Sequence, residues 1–327
     1  MTHRIGILLA LKLTLLAGFT SACGGPPAPP ENAEVEVGVV RIDDFATAAR
    51  FLPPSPIGLV WADVDALSSG PVGEMLEDIP DDAPLPDAAP VAFLKEHMGR
   101  IHTVAGGLWV TMTGQAVLVV LDTELETQAL FERVKEWAES RGASATPARI
   151  RGRPGLRTGP TVLVDAGDGV FINGPAGLAG RVLDLADRKT TGDAADEVTD
   201  YLAARTIHED AALVVSGVTP PTANGWLQSK HLPSLVGSRF MLSANAPERV
   251  GLRLGLLPGE PIKPIWFAQE VNTFLVRASK DEGMKELGID EWLLGLDVEL
   301  LSEGIVVEGS MEAGRLVEVL GELGGET

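Results

Sequence analysis

Histidines are the first residues to weigh for acid–base or metal chemistry, and the chain has five. His3 lies at the very start. His97 and His102 are five positions apart, which keeps them off a shared helical face, and no His-Glu-x-x-His or Glu-x-x-His helix occurs. His208 and His231 stand alone, so each histidine is expected at the surface or in a loop. "DVDALSSGPVGE" (63–74) puts Asp63, Asp65 and Glu74 at positions 1, 3 and 12 of a calcium loop. Leu67 and Ser68 occupy the positions that need a ligand and a sharply turning glycine. A strand-to-helix connection capped by Ser68 or Ser69 is expected there instead.

"GPAGLAG" (174–180) falls between a strand and a helix, where a phosphate loop would sit, but its spacing is GxxGxxG and not GxGxxG. "PARIRGRPGLRTG" (147–159) gathers Arg149, Arg151, Arg153 and Arg157. It reads as a linker loop that neutralises nearby acidic surface, with contact to an anionic ligand or partner as the alternative. No GxSxG occurs, and Ser216 and Ser238 lack the surroundings of a nucleophile. With 46 acids, spacing alone selects no glycosidase pair. We therefore expect a non-catalytic protein with no catalytic, metal or cofactor-binding residue.

The elements that would hold these residues show an internal echo. Gly169, Val170, Ile172 and Gly174 match Gly304, Ile305, Val307 and Gly309, and after a one-residue gap Ala179-Gly180-Arg181 matches Ala313-Gly314-Arg315. Each copy reads as a β-hairpin followed by a helix. Further back, "GLVWADV" (58–64) and "ALVVSGV" (212–218) are buried-type strands. Hairpins are expected around Thr113-Gly114-Gln115 and Ala246-Pro247-Glu248. A long helix follows each hairpin, at about 124–140 and 263–279. The first starts with Thr123 and Glu126 in capping-box spacing, and the second carries Pro264 in its first turn. Their apolar faces hold Leu130, Val134, Trp137 and Ala138, and Phe267, Val271, Phe274, Leu275 and Ala278.

The fold class expected is α+β, with two tandem related domains, each a mostly antiparallel sheet with helices packed on one face. The division expected is a signal peptide at 1–22, a Gly/Pro-rich tether and N-terminal segment at 23–49, a first domain at 50–205, and a second at 206–327 by internal duplication. Gly180 and Gly314 are expected to allow close helix–sheet approach. An acidic, proline-rich insertion, "EDIPDDAPLPDAAP" (77–90), is expected to be a solvated loop.

The chain has 327 residues, 45% of them hydrophobic and 5% aromatic, so Leu, Val and Ala must fill most of the core. Its formal charge of −20 disfavours nucleic acid as a partner and opposes general binding to anionic lipid. Cys23 is the single cysteine, which excludes an intramolecular disulfide and a cysteine-based zinc site.

"MTHRIGILLALKLTLLAGFTSAC" has the three parts of an export signal: a basic start at His3 and Arg4, an apolar run from Ile5 to Phe19 interrupted by Lys12, and small residues before Cys23. The ending "TSAC", with Thr20 where Leu is usual, resembles the lipobox of bacterial lipoproteins, and "GGPPAPPENAE" after it reads as a tether. The resemblance implies cleavage before Cys23, acylation of Cys23 (palmitate among the acyl chains), and attachment to the membrane through that lipid. Gly24 after the Cys, where Asp would retain the protein at the inner membrane, implies the outer membrane.

"FLPPSPIGLVWADVDALSSGPVGEML" resembles a recurring opening of bacterial envelope proteins with no assigned activity. It shows Leu52-Pro53, an aliphatic strand at Leu59 to Ala62, Asp63 to Leu67, and a short helix at Pro71 to Leu76. The expectation for function is a non-catalytic, membrane-tethered envelope lipoprotein that serves as a binding or scaffolding module with an envelope protein partner. The alternative is an extracytoplasmic ligand-binding protein with a cleft between its halves. A hydrolase is the third reading.

Overall fold

Alternating apolar strands and amphipathic helices give a chain of helices and antiparallel strands, an α+β fold. The computed structural model describes residues 38–69, 97–111, 114–140, 142–219, 238–245, 249–259 and 262–315. Contacts divide the chain into two units. Among described residues the first holds 38–65 and 97–196, and the second holds 66–69 and 197–315.

The first unit begins with helix α1 (Phe45–Phe51), whose N-cap Asp44 accepts a hydrogen bond from the Thr47 backbone N–H. Strand β1 (Gly58–Asp63) runs into the short helix α2 (Val64–Ser68). Strands β2 (Ile101–Thr111) and β3 (Gly114–Thr123) form the expected hairpin, and helix α3 (Thr127–Ser140) follows. Then come β4 (Ala145–Ile150), β5 (Arg153–Thr158), β6 (Thr161–Gly167), β7 (Val170–Pro175) and helix α4 (Ala176–Ala186). The strand order in this unit is β1-β2-β3-β7-β6-β5-β4, which puts β4 last with Pro147 inside it.

The second unit opens with helix α5 (Glu197–Thr206), which packs on strands β9 (Arg239–Asn245) and β10 (Arg249–Leu257). Strand β8 (Ala211–Val218) lies between α5 and β9 in sequence. Helix α6 (Pro264–Ala278), short helices α7 (Glu282–Glu286) and α8 (Asp290–Leu294), and strands β11 (Asp297–Leu300) and β12 (Ile305–Glu312) complete it, with residues 313–315 again helical. The strand order is β8-β9-β10-β12-β11. In both units, then, the strand pair that closes the unit enters in reverse, its last strand beside the central hairpin.

Helices cover both faces of the sheet, not one. Along β6, Leu163 joins Phe171, Leu125 and Leu130 under α3, while Val162 and Val164, which alternate to the other face, are fully buried. Along β10, Leu256 packs with Phe267, Val271 and Leu275 of α6, whereas Gly255 faces α5. A side chain at Gly255 would collide with the Thr206 hydroxyl and come within 3.0 Å of Leu202. The expectation of a single helical layer fails because consecutive strand residues are both apolar, a pattern that needs cover on both sides.

Two local expectations also change. Helix α3 starts at Thr127, and the Thr123 hydroxyl does not cap it: Thr123 Oγ1 donates to the Arg100 carbonyl at 2.5 Å and accepts from the Leu125 N–H at 3.1 Å. Nor do Gly180 and Gly314 permit close packing. A Cβ at Gly180 would make ordinary 3.8 Å contacts, and among the described residues none lies within 4 Å at Gly314. Restrictive positions in the repeated phrases include Gly169 and Gly304 at the strand starts, where a Cβ would strike the Thr123 and Leu256 carbonyl oxygens respectively.

Candidate functional site

Cys23 lies outside the described residues, as do the 77–90 segment, Glu74 and His231. The described candidates fall into three groups.

The arginine-rich segment is not a linker loop. It is the hairpin β4–β5, with Ile150 opposite Arg153 and only Arg151 and Gly152 between them. Both turn residues have positive φ (52° and 80°), the geometry that lets a two-residue turn follow the strand twist. Arg151 pairs with Asp184 on α4, and Arg153 donates to the Gly38 carbonyl at 2.6 Å and to the Ala166 carbonyl. Arg149 Nη1 donates to the Gly152 carbonyl at 3.2 Å. Three of the four guanidinium groups thus brace the fold and are not an open anion cradle. "GPAGLAG" likewise forms the end of β7 and the start of α4 directly, with Pro175 as N-cap and no intervening loop to wrap a phosphate.

A second group converges on His102. This histidine is in strand β2 and not in a loop, at a break in register: Ile101 faces Thr123 and Thr103 faces Asp122, leaving His102 as the extra residue. Such a bulge re-aims a side chain. Here it brings the imidazole between Asp65 of α2, with Nδ1 2.8 Å from Oδ2, and Glu124, with Nε2 3.4 Å from Oε1. The hydrogen bond with Asp65 raises the His102 pKa above its ordinary value of 6.5. Desolvation opposes this, and the charges of Asp65, Glu124 and Asp122 reinforce it. Burial raises the Asp122 pKa in turn. A carboxylate at each ring nitrogen favours the protonated imidazole, so the arrangement suits charge pairing. Nothing local in the sequence announces it, since Asp65 is 37 residues away. His208 is the opposite case: it precedes β8, and burial holds its pKa below the ordinary value, with Arg253 adding to the effect.

The third feature is helix α6. Phe267, Val271 and Leu275 are buried as expected, together with Ala268, whereas Phe274 and Ala278, expected on the same face, are only half-buried. Off that stripe, Ile265 is 52% exposed, Trp266 56% and Val276 42%. Lys263 stands 5.2 Å from the Trp266 ring centroid, within cation–π range. Trp266, Gln269, Glu270, Thr273, Phe274 and Arg277 line a groove of about 410 Å³ with Ile262. Sequence reasoning assigned the inward face and left these outward apolar residues unread. Their displacement from the buried stripe was the available signal.

No family model matches the chain, and no curated protein matches it. Among solved structures, the chain is similar to crystal form III of TP0453, at a TM-score of 0.51 and 10% identity, over 84% of this chain and 97% of that one. It is also similar to crystal form I of TP0453, at a TM-score of 0.50 and 10% identity, over 89% and 99% of the two chains. At this identity the likeness is one of fold.

Proposed function

We propose that the protein is a non-catalytic envelope lipoprotein, held at the outer membrane by lipid on Cys23 and serving as a binding or scaffolding module for an envelope protein partner. One observation carries the reading. The only cysteine of the chain ends an export-type signal and is followed at once by a Gly/Pro-rich stretch, with the first described residue, Gly38, 15 positions further on. Removal of residues 1–22 takes away Arg4 and Lys12 and no acid, so the charge of −20 becomes −22. Fifteen residues reach at most about 50 Å, which keeps the folded part near the membrane without burying it there.

The two units are proposed to descend from one duplicated domain. The shared entry of the last strand beside the central hairpin supports this. So do Gly169 and Gly304, each pressed against a carbonyl at the end of the neighbouring strand, and Arg181 and Arg315, each donating to loop carbonyls.

Membrane fractionation of the wild type and of Cys23→Ala, with metabolic labelling by palmitate, tests the anchor. The wild type is expected in the membrane fraction with label, and the variant without label and released from the outer membrane. Equal distribution of the two would overturn the reading.

A further inference from the structure

We infer that the outward face of helix α6 is a docking surface for a lipid bilayer containing anionic headgroups. Ile265, Trp266 and Val276 are the large apolar side chains this helix leaves in solvent. Gln269, Asn272 and Thr273, also exposed, complete the face, and none of these six residues is acidic. Lys263 precedes the face, and Arg277 and Lys280 close it, all exposed. Glu270 lines the groove beside Trp266 and Arg277 and is half-exposed, Glu260 lies three residues before Lys263 in sequence, and Asp281 and Glu282 begin α7 beyond the helix end.

A helix with tryptophan and aliphatic residues outward and cations at its margins has the composition of one that lies in the headgroup region. Trp266 beside the Lys263 ammonium suits that boundary, where an amphipathic ring meets charge. The net charge of −20 opposes approach of the chain as a whole. Salt confines each charge to about 8–10 Å, however, so the charges nearest the bilayer decide whether contact holds. On this face those charges are Lys263, Arg277 and Lys280, with Glu270 half-exposed at its edge.

The inference rests on the tethered reading for the nearby membrane but not on the acyl chain for its readout. The test therefore uses the full chain carrying Cys23→Ala, with Val276→Cys as the single thiol, labelled with an environment-sensitive fluorophore. It is mixed with vesicles of equal parts phosphatidylcholine and phosphatidylglycerol, with or without spin-labelled quencher lipid. The label at position 276 is expected to be quenched by the lipid, and the same label at Glu139→Cys on α3 is not. Ile265→Asp with Trp266→Asp should weaken the vesicle titration about tenfold, with unchanged circular dichroism. Lys263→Glu with Arg277→Glu, outside the buried stripe, should weaken it too and abolish the preference for anionic lipid. No quenching at position 276, equal quenching at both labels, or a spectral change that follows protein concentration without vesicles (a second copy on this face) would each overturn the inference. Loss of the Cys23 anchor leaves all of these measurements intact, so the two readings fail separately.

Discussion

Arg151 and Asp184 are joined by two parallel hydrogen bonds, Nε to Oδ1 at 2.8 Å and Nη2 to Oδ2 at 2.7 Å. The pair ties a hairpin turn to helix α4, and Arg151 holds a positive φ of 52° while doing so. Its side chain is 45% exposed, so solvent screens the attraction. Arg151→Ala is expected to lower the unfolding free energy by about 0.5–1 kcal/mol. Arg151→Gly loses the same pair but relieves the left-handed backbone, so its loss should be smaller. Urea midpoints check this order, and identical midpoints for the two variants would show that the turn does not feel the backbone angle.

Two histidines should respond to pH in opposite senses. His102 has a folded pKa raised above its unfolded value of 6.5, so its contribution is complete below that pH and fades as pH rises through the raised pKa. His102→Asn should therefore cost most stability in mild acid and least in mild alkali. His208 has a lowered folded pKa, so the native state loses stability as pH falls below 6.5. His208→Asn should flatten that acid-side loss. Thermal denaturation across pH 5 to 8, a window of about the histidine range, distinguishes the two slopes, and parallel curves for both variants would contradict the assignment.

Asp122 provides a third titration. Burial raises its folded pKa above 3.8, so its charge opposes folding at neutral pH and the penalty lifts as pH falls through the raised value. Asp122→Asn is expected to raise the melting temperature at neutral pH and to leave it nearly unchanged below the unfolded pKa. A lower melting temperature at neutral pH would mean that the attraction to His102 outweighs desolvation.

Glycine substitutions should separate by position, not by membership of the repeated phrase. Gly255→Ala sets a methyl against Thr206 and Leu202 and should cost about 1–3 kcal/mol. Gly180→Ala places its methyl at 3.8 Å from Arg151 and Ile150, inside a helix, and should stabilise by about 0.5–1 kcal/mol. Chemical denaturation of the pair tests this, and destabilisation by Gly180→Ala would restore a close-packing role to that residue.

The elements were legible where one periodicity ruled. Phe267, Val271 and Leu275 announced α6, and two apolar runs broken at Thr113-Gly114-Gln115 announced β2 and β3. The second helical layer was not legible, because Val162, Leu163 and Val164 are all apolar and a continuous run does not say what covers each side. The β4–β5 hairpin was missed because Arg151 and Gly152 look like a flexible basic stretch until the register shows a turn. The His102 cluster was hidden because a bulge and two distant acids create it, and none of the three leaves a local spacing. The outward apolar residues of α6 stand off the Phe267–Val271–Leu275 stripe in sequence, and their exposure agrees with that displacement.

Pro147 has a consequence for behaviour at high density. It sits in β4, the strand at the end of the order in the first unit, paired on one side with Leu156 of β5. A proline there offers no N–H to an incoming strand, and Arg149 next along adds charge to the same rim. Molecules concentrated on a two-dimensional surface meet edge to edge far more often than molecules in solution. That rim therefore resists the strand-to-strand fusion through which crowded β-proteins aggregate.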